Sequence, residues 1–172
     1  MKENGMLSFL VLGRQEFFFL GMECPLMQLF QISWLEKLTS SRQIFNDTDL
    51  VIVEGQGALN NMFYSGVTLG LLHGCMPDFL IMTHEPYREL DVSDYPIPSL
   101  EELMALHLNL LKPFKDSTFV GINLLTLKLN HNEANKYIQN VNDEFVLPTT
   151  DVVRFGSKGL IRSIEAAIQT WK

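Results

Sequence analysis

Short apolar runs alternate with amphipathic or glycine-rich segments along most of this chain. The runs favour strands and lie at residues 8–12, 50–53, 79–82, 119–122 and 145–153. Alternation of this kind is typical of βαβ units, in which parallel strands are joined by helices. The pattern predicts an α/β fold: a three-layer, open, mostly parallel sheet of about five strands with helices on both faces.

The helices carry local start signals. Ser99 and Glu102 have the spacing of a capping box, a second helix is predicted from Asn132, and Ser157 is placed to cap a last one. Residues 26–45 and 65–74 are also predicted to be helical. The predicted inward faces are Leu103, Leu106, Leu110 and Leu111; Ala134, Tyr137, Ile138 and Val141; and Ile161, Ile164, Ile168 and Trp171.

Composition indicates one compact soluble domain whose partners are small molecules or other proteins. The 172 residues are 47% hydrophobic and 19% charged, which is enough to bury a core without metals or disulfides. A net charge of -7 without a basic cluster argues against nucleic acid as a partner. Charged residues interrupt the apolar stretch at 6–22, which excludes a membrane helix. With no signal-peptide pattern and only Cys24 and Cys75, the expected location is the cytoplasm.

The run at 50–53 leads directly into Glu54, which is followed by Gly55, Gln56 and Gly57. In open α/β sheets ligands bind beyond the carboxyl ends of the strands, where a carboxylate can hold a magnesium ion or take a proton. The glycines let backbone amides approach a ligand closely. Glu54 is therefore a candidate magnesium ligand or catalytic carboxylate. The alternative is that Glu54 merely ends a strand in solvent.

A second group of titratable residues follows the next predicted strand. His84 and Glu85 come directly after the apolar run at 79–82, so this pair is predicted to share a crevice with Glu54. A histidine beside carboxylates is a candidate general base. Together with His73 the same set is a candidate metal site, although its spacing is not diagnostic. Structural hydrogen bonding is the third interpretation.

Two weaker candidates complete the predicted edge. Ser65 and Gly66 begin a short predicted helix whose first amides can hold an anion, and Gly74 is expected to end it. The alternative role of Ser65 is capping alone. Asn123 follows another apolar run and can recognise a base or a carboxamide.

Several motifs together carry a resemblance to a known family. They are Val-Glu-Gly-Gln-Gly-Ala-Leu at 53–59, Tyr-Ser-Gly-Val-Thr-Leu-Gly-Leu-Leu-His-Gly at 64–74, Pro-Asp at 77–78, His-Glu at 84–85, Asp-Tyr-Pro-Ile-Pro-Ser-Leu at 94–100 and Asp-Val-Val-Arg-Phe-Gly at 151–156. In this order the motifs resemble the C-terminal, P-loop-NTPase-like domain of a prokaryotic family of unknown function that includes D-glutamate N-acetyltransferases. The segment Val-Glu-Gly-x-Gly is also similar to a strand end of dethiobiotin-synthetase-type enzymes, in which the glutamate helps to hold magnesium.

The chain departs from the family in its first part. Members usually have a Rossmann-like N-terminal domain and then a phosphate loop with Gly-Lys, and neither is present in this sequence. We therefore expect a truncated member: one α/β domain over 1–172, family-like at about 50–166 and variant at 1–49. Truncation predicts an exposed apolar surface near 17–20 and Trp34, hence a homo-oligomer. Little or no activity is expected of the chain alone.

Three functions follow from these patterns. The resemblance implies acetyl transfer from acetyl-coenzyme A to the amine of D-glutamate, with His84 as base and Glu54 or Glu85 as its partner. The implied binding residues are Tyr64, Ser65, Gly66, Arg88 and Arg154, of which the two arginines pair with substrate carboxylates. The second function is a nucleotide-dependent enzyme that uses Mg and ATP, with Glu54 on magnesium and Asn123 near the base. The third is a non-catalytic remnant that acts as a binding module.

Overall fold

The computed structural model describes residues 50, 52–55 and 58–171. Within them the chain forms a parallel sheet of three strands, β1 (Phe79–His84), β2 (Thr118–Leu124) and β3 (Thr149–Thr150), in the order β1-β2-β3. The helices are α1 (Ser65–Cys75), α2 (Leu100–Leu111), α3 (His131–Phe145), α4 (Val152–Phe155) and α5 (Lys158–Thr170). The predicted α/β class with an open parallel sheet is confirmed.

The strand count differs from the prediction of about five. Leu50, Ile52 and Val53 are not part of a strand, although Val53 is buried in the core. The run at 145–153 supplies only the two residues of β3, since Phe145 still belongs to α3 and Val152 already begins α4. Val146, with φ 53°, ends α3 in a left-handed conformation between them. The predicted strand at 8–12 and the predicted helix at 26–45 lie outside the described residues.

The sheet is buried on both faces, which gives the predicted three layers. Along β1, Leu80 and Met82 belong to a large apolar cluster that includes residues of α1, α2 and α3. Phe79 and Ile81 belong to a second cluster, with Leu160 of α5. Successive strand residues point to opposite faces, so this division follows from the pleat.

Two helices, α2 and α3, begin at capping boxes formed by residues three apart in the sequence. Ser99 and Glu102 form the predicted capping box at α2. Asn130 and Glu133 form another at α3, one that sequence inspection missed. The last helix differs from expectation, because Ser157 makes no capping bond and Leu160 is its buried residue, while Ile161, Ile168 and Trp171 are exposed.

Candidate functional site

His84 ends β1 at the carboxyl edge of the sheet. It is paired in register with Leu124 of β2, and its carbonyl accepts a hydrogen bond of 2.9 Å from the amide of Leu125. The half-buried position of the ring lowers the pKa of His84, an effect that the charge of Glu85 only partly offsets. The imidazole is therefore neutral at pH 7 and can accept a proton.

Glu85 connects two cations beside this histidine. Its carboxylate lies 2.6 Å from Nζ of Lys128 and 3.6 Å from a guanidinium nitrogen of Arg88. Arg88 also donates from Nε to the carbonyl of Leu90 at 3.0 Å. These two contacts fix the direction of the guanidinium group relative to β1.

A cavity of about 330 Å³ opens beside His84 and Arg88. It lies between the end of β1, the segment that leads into α2, and one face of α3. Its polar lining is His84, Arg88, Ser99, Glu101, Tyr137 and Glu144, and its apolar lining is Ile97, Pro98, Leu100, Val141 and Phe145. The site thus combines one neutral base, one cation and two carboxylates around an apolar floor, as small-molecule sites commonly do.

Helix α3 supplies the far wall of this cavity. Tyr137, Val141, Glu144 and Phe145 recur at helical spacing and so share one face of the helix. Burial, together with the nearby Tyr87 and Glu144, raises the pKa of Tyr137. Its phenol is therefore protonated at neutral pH and can donate a hydrogen bond into the cavity.

Asn123 lies on β2 at the same edge, paired in register with Thr83 of β1. Its side-chain oxygen accepts from the amide of Val152 at 3.1 Å, and its Nδ2 lies 3.5 Å from Oγ1 of Thr83. The amide group predicted to recognise a base or carboxamide thus bonds within the protein and ties β1 to the start of α4.

Asp151 organises the next part of the edge and was not identified from the sequence. Its buried carboxylate accepts from the amide of Thr126 at 2.9 Å and from the hydroxyl at 2.5 Å, and it caps α4 through the amides of Val153 and Arg154. Burial alone would raise the pKa of Asp151, but these hydrogen bonds outweigh it and the pKa is lowered. An aspartate directly before Val-Val-Arg is an N-cap signal that could have revealed this role.

The guanidinium group of Arg154 bonds to the backbone of the protein at the carboxyl edge of the sheet. It donates to the carbonyl oxygens of Leu127 and Leu129 at 3.2 and 2.7 Å. These bonds shape the segment that carries Lys128. The predicted pairing of Arg154 with a substrate carboxylate stays a prediction.

The start of α1 is built differently from the expectation. Tyr64, not Ser65, occupies the N-cap position, and the amide of Ser65 donates to the carbonyl of Asn61 at 2.8 Å. Gly74 lies inside the helix, which Met76 ends with φ 46°. The Ser65 amide is thus already satisfied, which weakens the predicted anion site at Ser65 and Gly66.

Asn61 is the residue that fixes this helix start, and no sequence pattern revealed it. Its buried side chain accepts from the amides of Phe63 and Tyr64 and donates to Asp91 at 2.7 Å. Asp91 belongs to the loop that follows β1, so the bond holds the beginning of α1 near the carboxyl edge.

His73 lies apart from His84. Its Nε2 is 3.1 Å from the carbonyl oxygen of Leu110, near the end of α2. Helices α1 and α2 both end just before a strand begins, so their last turns lie at the amino edge. His84 is at the other end of β1, roughly 16 Å away along the strand.

Glu54 is exposed and Gly55 is buried, whereas Gln56 and Gly57 lie outside the described residues. The magnesium role of Glu54 stays a prediction. Over residues 50, 52–55 and 58–171, no three His, Cys, Asp or Glu side chains form a group that could hold a metal ion. Over the same part of the chain, no helix is long and apolar enough to cross a membrane.

Comparison with known proteins gives a consistent family match. Residues 26–161 match the model of a domain of unknown function, the DUF1611 C-terminal P-loop domain. The chain is 39% identical over 140 residues to a D-glutamate N-acetyltransferase of Tritonibacter scottomollicae, covering 80% of this chain and 41% of that protein. A D-glutamate N-acetyltransferase of Pseudoalteromonas sp. is 30% identical over 121 residues, covering 69% of this chain and 36% of that protein.

A solved structure supports the same relationship. The crystal structure of a DUF1611 family protein from Anabaena variabilis ATCC 29413 matches with a TM-score of 0.68 and 28% identity, covering 77% of this chain and 39% of that one. The chain thus spans about two fifths of the length of each of these three proteins.

Proposed function

Because the chain belongs to the DUF1611 family, whose C-terminal P-loop domain it matches over most of its length, we propose that it serves acetyl transfer to the amine of D-glutamate. The support from outside the chain is the name of two relatives, D-glutamate N-acetyltransferase, at 39% and 30% identity. The activity of the whole relatives is part of the proposal, since this chain matches only part of their length.

The observation that carries the proposal is the neutral His84 beside Arg88 in one cavity. A volume of about 330 Å³ suits a small metabolite, since ligand sites range from about 300 to 1,000 Å³. Arg88 offers a guanidinium group to a substrate carboxylate, and its contacts with Glu85 and Leu90 hold it in place. His84 offers a nitrogen that is free of a proton at pH 7.

The reaction requires that an ammonium group lose a proton before its nitrogen can attack. His84 takes that proton, and the carbon–nitrogen bond of the amide then forms as the carbon–sulfur bond of the acetyl thioester breaks. The leaving thiolate takes up the second proton, which the nitrogen releases as the amide forms, and His84 returns the first one to solvent. A positioned general base of this kind typically contributes about 10²–10⁴ in rate.

Acetyl-coenzyme A is the proposed donor, and its thioester supplies the activated acetyl group. Two cations near the carboxyl edge, Lys128 and Arg154, already pair with oxygens of the protein, and we assign Arg88 to a substrate carboxylate. These side chains therefore do not fit the coenzyme phosphates well, and we assign no step to such a contact. The proposal for the described residues concerns the acceptor amine and its proton.

The test is a direct assay of N-acetyl-D-glutamate formation with acetyl-coenzyme A, comparing D-glutamate with L-glutamate, in a full-length relative that retains the phosphate loop and carries the substitutions at the matching positions. His84→Gln should lower kcat at least about 100-fold, because it removes the base. His131→Gln is the matched control, since His131 begins α3 and contacts Phe155 outside the cavity. Glu54→Gln should also abolish turnover if Glu54 assists the base. Full activity of His84→Gln would overturn the assignment.

Binding of ATP with magnesium is the second candidate, because the matching family domain is described as a P-loop domain. A ligand raises the melting temperature only by binding the native state, so thermal shifts separate the two functions. A shift with acetyl-coenzyme A and none with magnesium-ATP favours acetyl transfer, and the reverse favours nucleotide binding. No shift with either favours a non-catalytic binding module.

A further inference from the structure

Glu144 lies at the carboxyl end of α3, where the helix dipole disfavours an acid. It is the penultimate residue of α3, and no basic residue lies in the last turn of that helix. The carboxyl end of a helix carries a partial negative charge, so a carboxylate there lowers helix stability while a cation would raise it. Helix stability thus gives no reason for this side chain.

Within the described residues, no cation lies at ion-pair distance from Glu144. The side chain lines the same cavity as His84 and Arg88. Its charge also contributes to the raised pKa of Tyr137, which lines the cavity two turns earlier on the same face of α3. Glu101 also lines the cavity, but it lies in the first turn of α2, where the helix dipole favours an acid.

We infer that Glu144 is the specificity residue that holds the ammonium group of the acceptor amino acid in this cavity. Arg88 then holds a carboxylate of the same molecule, so the cavity recognises a zwitterion through two opposite charges on different elements. The ammonium group provides the charge that the end of α3 lacks. This inference rests on the proposed function and adds to it the residue that distinguishes an amino acid from a simple dicarboxylate.

The experiment compares binding of D-glutamate with binding of glutarate, which has the two carboxylates but no ammonium group. Affinities are measured by calorimetric titration of the chain at pH 7. The wild-type chain should prefer D-glutamate. Glu144→Gln should lower the affinity for D-glutamate about tenfold and leave that for glutarate unchanged or higher, since a hydrogen-bonded charge pair is lost.

Asp143→Asn is the matched control. It removes the same charge from the same last turn of α3, but Asp143 does not line the cavity and accepts hydrogen bonds from Gln139 and Asn142. Its preference for D-glutamate should equal that of the wild type. Because Glu144 is exposed, both variants should fold, which thermal denaturation verifies.

The outcomes separate this inference from the proposed function. Equal preference for D-glutamate in Glu144→Gln and the wild type, or no binding of D-glutamate by the wild type, overturns the role of Glu144. Loss of the preference in Glu144→Gln supports the ammonium site whether or not the chain alone transfers an acetyl group. Acetyl transfer with an unchanged KM for D-glutamate in Glu144→Gln supports the function and overturns the inference.

Discussion

Gly121 is the position where the smallest change should have a measurable effect on stability. It lies on β2 at a bulge, because Leu80 pairs with Phe119 while Ile81 pairs with Gly121, which leaves Val120 as the extra residue. A Cβ at residue 121 would overlap Cδ2 of Leu160 and lie 3.1 Å from the carbonyl oxygen of Pro148. The buried Leu160 anchors α5 on the sheet, so α5 and the sheet compete for this space.

The expected cost of Gly121→Ala follows from these two contacts. Overpacking of a core typically costs about 1–3 kcal/mol. The Pro148 oxygen cannot withdraw freely, because it accepts the β2 amide of Ile122 at 2.9 Å. Alanine also restricts the unfolded chain, which restores about 0.4–1 kcal/mol. We expect a net loss of about 1–2 kcal/mol in the free energy of unfolding, or roughly 2–8 °C in Tm.

The assay is urea denaturation followed by circular dichroism, with Gly70→Ala as the matched control. Gly70 lies within α1 and an added Cβ meets nothing within 4 Å, so this change should stabilise the chain by about 0.5–1 kcal/mol through helix propensity.

A double-mutant cycle tests the cause. Leu160→Ala alone should cost about 2–5 kcal/mol by opening a cavity. Combined with Gly121→Ala, it should cost about 1 kcal/mol less than the sum, since the new methyl group enters the vacated space. Strict additivity, or a Gly121→Ala chain as stable as the wild type, would refute the packing argument.

Two further predictions concern buried polar groups. Asp151→Ala should destabilise the chain by about 3 kcal/mol in the same urea assay, because it leaves the buried Thr126 amide and hydroxyl without their acceptor and removes the cap of α4. A loss of stability below about 0.5 kcal/mol would show that these hydrogen bonds are dispensable. Burial lowers the pKa of both His84 and His107, so the unfolded chain takes up protons first as the pH falls below 6.5. Stability should be greatest above pH 6.5 and decline from there towards the lower folded pKa values, and His84→Gln should flatten part of that decline in denaturation curves measured between pH 5 and 8.

The sequence by itself determined the elements that have local causes. The capping box of Ser99 and Glu102 depends on residues three apart, and the structure has it as predicted. The apolar runs at 79–82 and 119–122 became β1 and β2, each extended by a few residues. Their order and alternation with helices were enough to predict a parallel sheet whose carboxyl ends share an edge, and they placed His84 and Asn123 there correctly.

Elements that depend on distant neighbours were predicted less well. The apolar run at 145–153 contains three different conformations, because β3 extends only as far as it pairs with Ile122 and Asn123. Beyond that pairing, the side chain of Asp151 caps a helix. The stripe of Ile161, Ile168 and Trp171 predicted an amphipathic helix correctly, but only packing on the sheet decided that Leu160 is the buried residue.

The candidate site was decided mainly by tertiary structure. Its cavity brings together His84, Arg88, Ser99 and Glu144 from three segments that are distant in sequence, and no spacing rule connects them. The hydrogen-bond partners of Asn123 and Arg154 were likewise not predictable from the sequence, since each of these side chains bonds to a different segment of the fold. Residue types predicted which donors and acceptors lie at the carboxyl edge. Whether each polar group bonds within the protein or stays available for a ligand depends on which atoms lie within hydrogen-bond distance after folding, and only the assembled sheet and helices determine those distances.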